Sequence, residues 1–299
     1  MNKKRIAVVG YGNIGKYTVD ALRHSPDMEL AGVVRRSVSI CPRELSDCPV
    51  VEHIDQLDQV DAAVLALPTR KVKEYAVEIL SKGIATVDSF DIHGSILELR
   101  KALHEAAVAH QTTAILSAGW DPGSDSVVRM LMQAMVPGGI TYTNFGPGMS
   151  MGHTVAAKAI PGVDKALSMT IPLGTGVHRR MVYIQPQAGA DEAQIRQTLL
   201  QDDYFAHDET HVVFTPNVDE LIDMGHGVEM VRKGCCGSTQ NQLLSFSMRI
   251  NNPALTAQIL VCAARAALRQ SRYGAYTLPE IPVIDLLPGE RESWIERFC

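Results

Sequence analysis

The sequence predicts an α/β fold: an N-terminal doubly wound parallel sheet followed by a second domain of α+β type. Three observations carry that prediction. Over the first 120 residues, short apolar runs alternate with helical stretches, the pattern of a parallel sheet with helices on both faces. A glycine-rich turn, Gly10-Tyr11-Gly12-Asn13-Ile14-Gly15, joins the first apolar run to the first helix. Beyond residue 137 the alternation gives way to strand-like runs separated by glycine turns.

The first domain reads in order. Residues 5–9 are apolar and form the first strand; 13–24 form a helix closed by Ser25-Pro26-Asp27, where proline cannot continue it. A second strand over 29–34 ends at Arg35-Arg36, and the polar segment 37–59 carries little pattern. The run over 61–67 is a buried strand stopped by Pro68. A helix over 70–82 puts Val72, Tyr75, Ala76, Ile79 and Leu80 on one face. Strand 84–87, helix 92–110 and strand 113–117 follow, the last running into Gly119-Trp120-Asp121-Pro122-Gly123. In a doubly wound sheet these strand ends point the same way, so their loops share one rim.

The second domain reads as a mostly antiparallel sheet, with strands over 140–145, 166–171, 181–185 and 211–214 and one clear helix over 191–200. The strongly helical segment 253–270 is placed to return to the first domain. A chain of 299 residues exceeds one typical core, which fits boundaries at 1–120 and 121–251, with 252–299 packing back on the first part.

Composition narrows the function classes. A net charge of −5 excludes a large nucleic-acid surface, which needs clustered Lys and Arg. No stretch approaches the ~20 apolar residues of a membrane span. The basic start, Met1-Asn2-Lys3-Lys4-Arg5, meets a glycine turn too soon to be a secretory signal. Six cysteines show neither a CxxC pair nor zinc spacing, so they read as reduced packing thiols of a cytoplasmic protein that holds no metal.

The turn at Gly10 to Gly15 is a GxGxxG placed directly after a strand and opening a helix. Its glycines permit the tight turn and a close approach of backbone N–H groups to a pyrophosphate, and the helix N-terminus adds partial positive charge. The context defines a Rossmann-type dinucleotide-binding domain, where an isolated glycine turn would not. About 20 residues on, NAD-binding domains place an Asp or Glu on the ribose. Here the second strand ends in Arg35-Arg36-Ser37, two guanidinium groups and a hydroxyl suited to a 2′-phosphate, so the expected cofactor is NADP. A solvated basic loop is the alternative for these residues.

Two acidic segments lie at consecutive strand ends, Asp88-Ser89-Phe90-Asp91 and Gly119-Trp120-Asp121. A carboxylate beside a nicotinamide can accept hydrogen bonds from an amino group and favour its loss of charge as an iminium forms. Asp91 is the candidate for that chemistry and Asp88 for structure, while helix capping is the competing role for either.

At this point several segments resemble the meso-diaminopimelate dehydrogenase family. They are 9–15, Ser25-Pro26-Asp27-Met28-Glu29-Leu30, Arg35-Arg36, the Gly119-Trp120-Asp121-Pro122-Gly123 turn and Phe145-Gly146-Pro147-Gly148-Met149-Ser150-Met151-Gly152-His153. Ile160-Pro161-Gly162-Val163, His178-Arg179-Arg180, Gly225-His226-Gly227 and Asn252-Pro253 continue the match in order, across nearly the whole chain. The resemblance implies NADP-dependent oxidative deamination of the D-centre of meso-2,6-diaminopimelate. The products are ammonia and L-2-amino-6-oxopimelate, which cyclises to tetrahydrodipicolinate; the reverse direction makes a lysine and peptidoglycan precursor. It also implies a homodimer formed through the second domain.

By the same resemblance, Gly10, Tyr11, Gly12, Asn13, Ile14, Arg35, Arg36, Ser37, Ala66, Leu67, Pro68, Thr69, Ser89, Phe90 and Asp91 contact NADP. Asp91 and Asp121 hold the reacting amino acid end, with Trp120 packing or shielding the nicotinamide from water. Phe145 forms an aromatic wall, and Met151 and Gly152 bind through their backbone. Thr170, Arg180, His226 and Asn252 take the remote, L-configured end. Physical chemistry agrees: a carboxylate held out of water needs a charge-assisted partner, and Arg180 can clamp one bidentately. Arg180 as a rim ion pair and His226 as a turn residue are the plainer readings, and His153 is set one layer further out. Only Leu173-Gly174-Thr175-Gly176-Val177 separates Pro172 from His178, shorter than in many family members, which implies a more open pocket and other D-amino acids as secondary substrates. Two further readings stay open: an NADP-dependent dehydrogenase of another small amino acid, of the diaminopentanoate or aspartate type, and a non-catalytic NADP-binding sensor.

Overall fold

A computed structural model describes residues 3–39, 41–223 and 225–299, so Met1 and Asn2 of the basic start lie outside the described residues. The chain opens with β1 (Lys4–Val9), α1 (Asn13–Arg23), β2 (Met28–Val34), β3 (Val50–Val51), β4 (Ala62–Leu65), α2 (Val72–Leu80), β5 (Ala85–Asp88), α3 (Ile96–Ala109), β6 (Thr113–Leu116) and α4 (Ser124–Met135). It continues through β7 (Gly138–Phe145), β8 (Gly148–Met149), α5 (Met151–Lys158), β9 (Val163–Gly174), β10 (Val177–Pro186), α6 (Glu192–Gln201), β11 (Glu209–Phe214), β12 (Gly225–Cys236) and β13 (Thr239–Asn251). The last elements are α7 (Asn252–Ala267), β14 (Gly274–Thr277) and α8 (Arg291–Phe298).

Two compact units result, one running to Val127 and resuming over Pro253–Cys299, the other spanning Val128–Asn252. The break falls inside α4 and not at 120/121. The acidic turn after β6 stays with the first unit because Ala118 and Trp120 are buried and the Ala118 amide donates to the Asp88 carbonyl at 2.7 Å.

In the first unit seven parallel strands run in the order β14-β6-β5-β4-β1-β2-β3. Both faces are covered, which is why its strands are continuously apolar. Ile6, Val8, Val64 and Ile115 face a core with Val19 and Leu22 of α1 and Leu260 and Ala264 of α7. Ala7, Val9, Leu65 and Leu116 face Ala76 and Ile79 of α2 and Leu99 and Leu103 of α3. The strand order reverses on the two sides of β1, so the loops after β1 and β4 open the crevice that such sheets use for ligands.

A partly buried ion pair ties α7 to the turn before β2. Arg265 Nε and Nη2 donate to the two Asp27 oxygens at 2.6 and 2.8 Å, and Nη1 donates to the Leu286 carbonyl. Burial alone would raise the Asp27 carboxyl, but the hydrogen bonds and charge of Arg265 outweigh it and hold the group below its ordinary value. The sign follows: this stabilisation is complete above the ordinary carboxyl pKa and disappears as pH falls through the lower folded value. Arg265 is 6% exposed but Asp27 is 33% exposed. Arg265→Met is therefore expected to cost roughly 2–3 kcal/mol, below the ~3–5 of a fully buried pair broken on one side. Urea unfolding should show that loss at pH 7 and a much smaller one near pH 2.

The second unit contains two sheets where the sequence suggested one. A four-stranded sheet runs β11-β10-β9-β8, with β10 and β11 parallel and the other pairs antiparallel; a three-stranded antiparallel sheet runs β13-β12-β7. The short β9–β10 connection is a hairpin whose turn residues, Thr175 and Gly176, both have positive φ, the geometry that matches strand twist. Val182, Ile184, Ile195, Leu199, Phe205 and Val212 pack between the four-stranded sheet and α6.

No helix among the described residues is long and apolar enough to cross a membrane. The six cysteines are free, and Cys41 and Cys299 are exposed, so those two are not the packing thiols the sequence suggested.

Candidate active site

The rim of the first unit is built from four loops. After β1, Gly10 takes a φ of +99°, and a Cβ there would lie 2.3 Å from the Ala66 carbonyl oxygen, so the turn and the segment after β4 can approach only as glycine and backbone. Gly15 is equally constrained, its would-be Cβ lying 2.3 Å from the Gly10 oxygen. By contrast, a Cβ on Gly12 would meet nothing within 4 Å. Gly12 caps α1 without a side-chain hydrogen bond, and the first turn, with Asn13 and Ile14, contains no acidic residue. This open cradle of helix N–H groups fits a pyrophosphate.

Tyr11 is half-buried, with Lys16 Nζ 5.8 Å and the Arg35 guanidinium 5.9 Å from its ring centroid. Arg36 and Ser37 continue, exposed, beyond β2, with Ser37 Oγ 2.8 Å from Ser39 Oγ. No carboxylate stands at the end of β2, and the residues present fit a phosphorylated ribose. Ala66, Leu67, Pro68 and Thr69 extend past β4, the Ala66 amide donating to the Val9 carbonyl at 2.8 Å.

The acidic turns complete the rim. Thr69 Oγ1 donates to Asp91 Oδ1 at 2.6 Å, so the loop after β4 orients the carboxylate of the loop after β5. Ser89 packs on the next turn, its Cβ lying 3.2 Å from where a Gly119 Cβ would be. Asp88 is fully buried, and its Oδ1 accepts from the amides of Phe90 and Ser117 at 2.9 and 3.1 Å. Burial pushes its carboxyl up to about 6 against those two hydrogen bonds. Neither Asp88 nor Asp91 caps α3, whose preceding residue is Ser95. Phe90 and Trp120 are buried and Asp121 is half-buried.

The second unit gathers the remaining predicted residues around the segment Gly146-Pro147-Gly148-Met149. A Cβ on Gly146 would lie 2.3 Å from the Thr170 carbonyl, and one on Gly148 would lie 2.6 Å from His226 Cα, so both glycines are needed for that approach. Gly148 pairs with Thr170 across β8 and β9. Buried Asn252 donates through Nδ2 to the Met149 carbonyl at 2.9 Å. Met151 and Gly152 begin α5, and Ser150 makes no side-chain cap to it because its hydroxyl lies 2.8 Å from His153 Nδ1. His153 packs edge-on against Tyr204 and Phe205.

Arg180, opposite Thr170 in the β9–β10 ladder, donates from Nη1 to the Thr170 hydroxyl and from Nε to Asp208 Oδ2 at 2.6 Å. His226 is buried, and burial, reinforced by the charge of Arg180, lowers its pKa to about 4. The Gly227 amide lies 2.7 Å and the Gly227 carbonyl 3.1 Å from its Nδ1. A neutral imidazole carries one ring proton and one acceptor nitrogen. His178 Nε2 accepts the Phe145 amide at 2.7 Å, and burial with the Arg180 charge likewise lowers its pKa.

The sequence reading missed His178 and Asp208. His178 sits two residues before Arg180 on the same face of β10, a period that could have flagged it. Asp208 is 28 residues from Arg180 and carries no local signal.

A doubly wound sheet with a phosphate-ready glycine turn and carboxylates on its rim is the frame of a nicotinamide-dependent oxidoreductase, and the similarity to amino acid dehydrogenases places its chemistry on a CH–NH2 carbon. The description "Oxidoreductase family, NAD-binding Rossmann fold" matches residues 4–88, and "Diaminopimelic acid dehydrogenase C-terminal domain" matches 119–177. The chain is 60% identical, over 99% of both chains, to the meso-diaminopimelate D-dehydrogenase of Bacteroides fragilis. Two solved structures superpose along their full lengths with a TM-score of 0.90: a Corynebacterium glutamicum diaminopimelate dehydrogenase in complex with diaminopimelate, at 30% identity, and an engineered D-amino acid dehydrogenase bound to NADP+, at 28%. The chain belongs to the meso-diaminopimelate D-dehydrogenase family.

Proposed function

We propose that the protein catalyses the reversible, NADP-dependent oxidative deamination of the D-centre of meso-2,6-diaminopimelate to L-2-amino-6-oxopimelate and ammonia. The observation that carries the reading is the group around Arg180: a guanidinium, the Thr170 hydroxyl, the neutral His226 ring and Asn252 offer an amino dicarboxylate the donors its remote end requires. NADP, and not NAD, is supported by Arg35, Arg36 and Ser37 standing where a ribose-binding carboxylate would repel a 2′-phosphate.

Gly10, Tyr11, Gly12, Asn13 and Ile14 would hold the pyrophosphate, with Ala66 to Thr69 and Ser89 to Asp91 along the nicotinamide side. The bound cofactor would supply the hydride acceptor for the D-carbon. Asp91, fixed by Thr69, takes a hydrogen bond from the reacting amine and withdraws its proton, so that the nitrogen lone pair can form the C=N bond. Asp121 supports the same amine, the backbone N–H groups of Met151 and Gly152 receive the neighbouring carboxylate, and Trp120 shields the nicotinamide side from bulk water. One water molecule then adds to the C=N carbon and releases ammonia, leaving the oxo product. Phe145, anchored by His178, walls the carbon chain. Gripping both ends fixes which face of the D-carbon is presented. The protein works in the cytoplasm as a homodimer in this reading, supported by the exposed Ile140 and Leu243 on the three-stranded sheet.

Initial rates with the meso, LL and DD isomers, each with NADP+ or NAD+, test it. NADPH should form fastest from the meso isomer, and LL should be inert because it lacks a D-centre. Equal turnover of LL, or nucleotide binding with no turnover of any isomer, would overturn the reading, the latter in favour of a sensor.

A further inference from the structure

Asp208 stands in the segment between α6 and β11, and only its Oδ2 is occupied by Arg180. Its Oδ1 accepts no hydrogen bond among the described residues. Arg180 is 15% exposed and Asp208 32% exposed, so both are largely withdrawn from water yet reachable. A guanidinium carries five N–H groups; Asp208 and Thr170 engage one on Nε and one on Nη1. Three N–H groups remain on a pair whose net charge is zero.

The neighbouring charges leave that neutrality undisturbed. Glu209 is taken by Arg179 and His211, and burial disfavours the charged form of both His226 and His178. A ligand that brings only a carboxylate to this pair gains the guanidinium but meets the Asp208 charge. An amino acid terminus brings an ammonium as well, so each charge finds its opposite, carboxylate on guanidinium and ammonium on Asp208 Oδ1.

Building on the proposed reaction, we propose that Asp208 is a specificity-determining residue: it binds the ammonium at the inert end of the substrate while Arg180 binds the carboxylate, so the pair recognises a zwitterion and not merely a second acid. Asp208 then separates an amino acid terminus from an equally long dicarboxylate that lacks the remote amine.

Binding measured by calorimetry with NADPH present tests this independently of turnover, using meso-diaminopimelate and D-2-aminopimelate, which has the same two carboxylates and no remote amine. Wild type should bind the first about 10- to 100-fold more tightly, the range for a charge-assisted hydrogen bond. D208N should weaken meso-diaminopimelate by a similar factor and leave D-2-aminopimelate as tight or tighter, and D208E should recover much of the preference. Equal weakening of both ligands would make Asp208 only a brace for Arg180, and unchanged affinities would remove it from recognition; either result overturns the proposal. If D208N does not fold, absence of a wild-type preference between the two ligands is the overturning result. A wild type that shows the preference but never forms NADPH would sink the reaction and not the zwitterion site.

Discussion

Replacing Asp91 with asparagine is expected to lower kcat by about 10²–10⁴, the span of a positioned proton acceptor, while NADP affinity stays almost unchanged. Asparagine keeps the shape, and its amide oxygen can still accept the Thr69 hydroxyl that lies 2.6 Å from the carboxylate. The turn at Gly12 and the basic residues after β2, which are proposed to hold the nucleotide, lie on other loops and are untouched by the substitution. What the variant loses is an acceptor able to remove charge from the amine. Steady-state rates paired with NADPH fluorescence titration separate the two effects. Full activity in the variant would take Asp91 out of the chemistry.

The second large effect is expected from Arg180→Ala. Truncation removes the guanidinium proposed to hold the remote carboxylate and also leaves Asp208 without the partner now at 2.6 Å. Truncating one partner of a hydrogen-bonded charge pair between protein and ligand costs ~2–5 kcal/mol of binding, so kcat/KM for meso-diaminopimelate should fall by roughly 10²–10³. D-Alanine has no second carboxylate to lose and should change far less. Parallel loss for both substrates would mean that Arg180 supports the sheet and not the ligand, and thermal unfolding of the variant checks that directly.

The parallel sheet was legible because its strands are buried on both faces and appear as uninterrupted apolar runs, each followed by a polar or glycine-rich loop. Errors fell where backbone turns into site. The run read as a strand over 61–67 leaves the sheet after Leu65, since Ala66 to Thr69 must swing past Gly10 to form the rim. Helix α4 went unread because Asp121 to Ser126 is composed of turn-forming residues, although the stretch behind it is amphipathic. The β12–β13 hairpin was missed for a different reason. In β13 the half-buried Leu244, Phe246, Met248 and Ile250 alternate with exposed neighbours, but the period of two is diluted by Ser, Gln and Asn. Thr170 and Arg180 were nameable from the chain, but that they face each other follows only from the β9–β10 register. The Asp208 link is invisible from either partner's surroundings.

The nucleotide-binding unit is interrupted, and that has a bearing on how it comes into being. Leu260 and Ala264 of α7 complete one face of its sheet, and β14 adds the outer strand beside β6. During synthesis the early strands must wait, one flank bare, until this late part of the chain emerges, while residues 128–252 are already made and free to collapse on their own core. The inserted unit is the one placed to finish first, although the ribosome begins with the other.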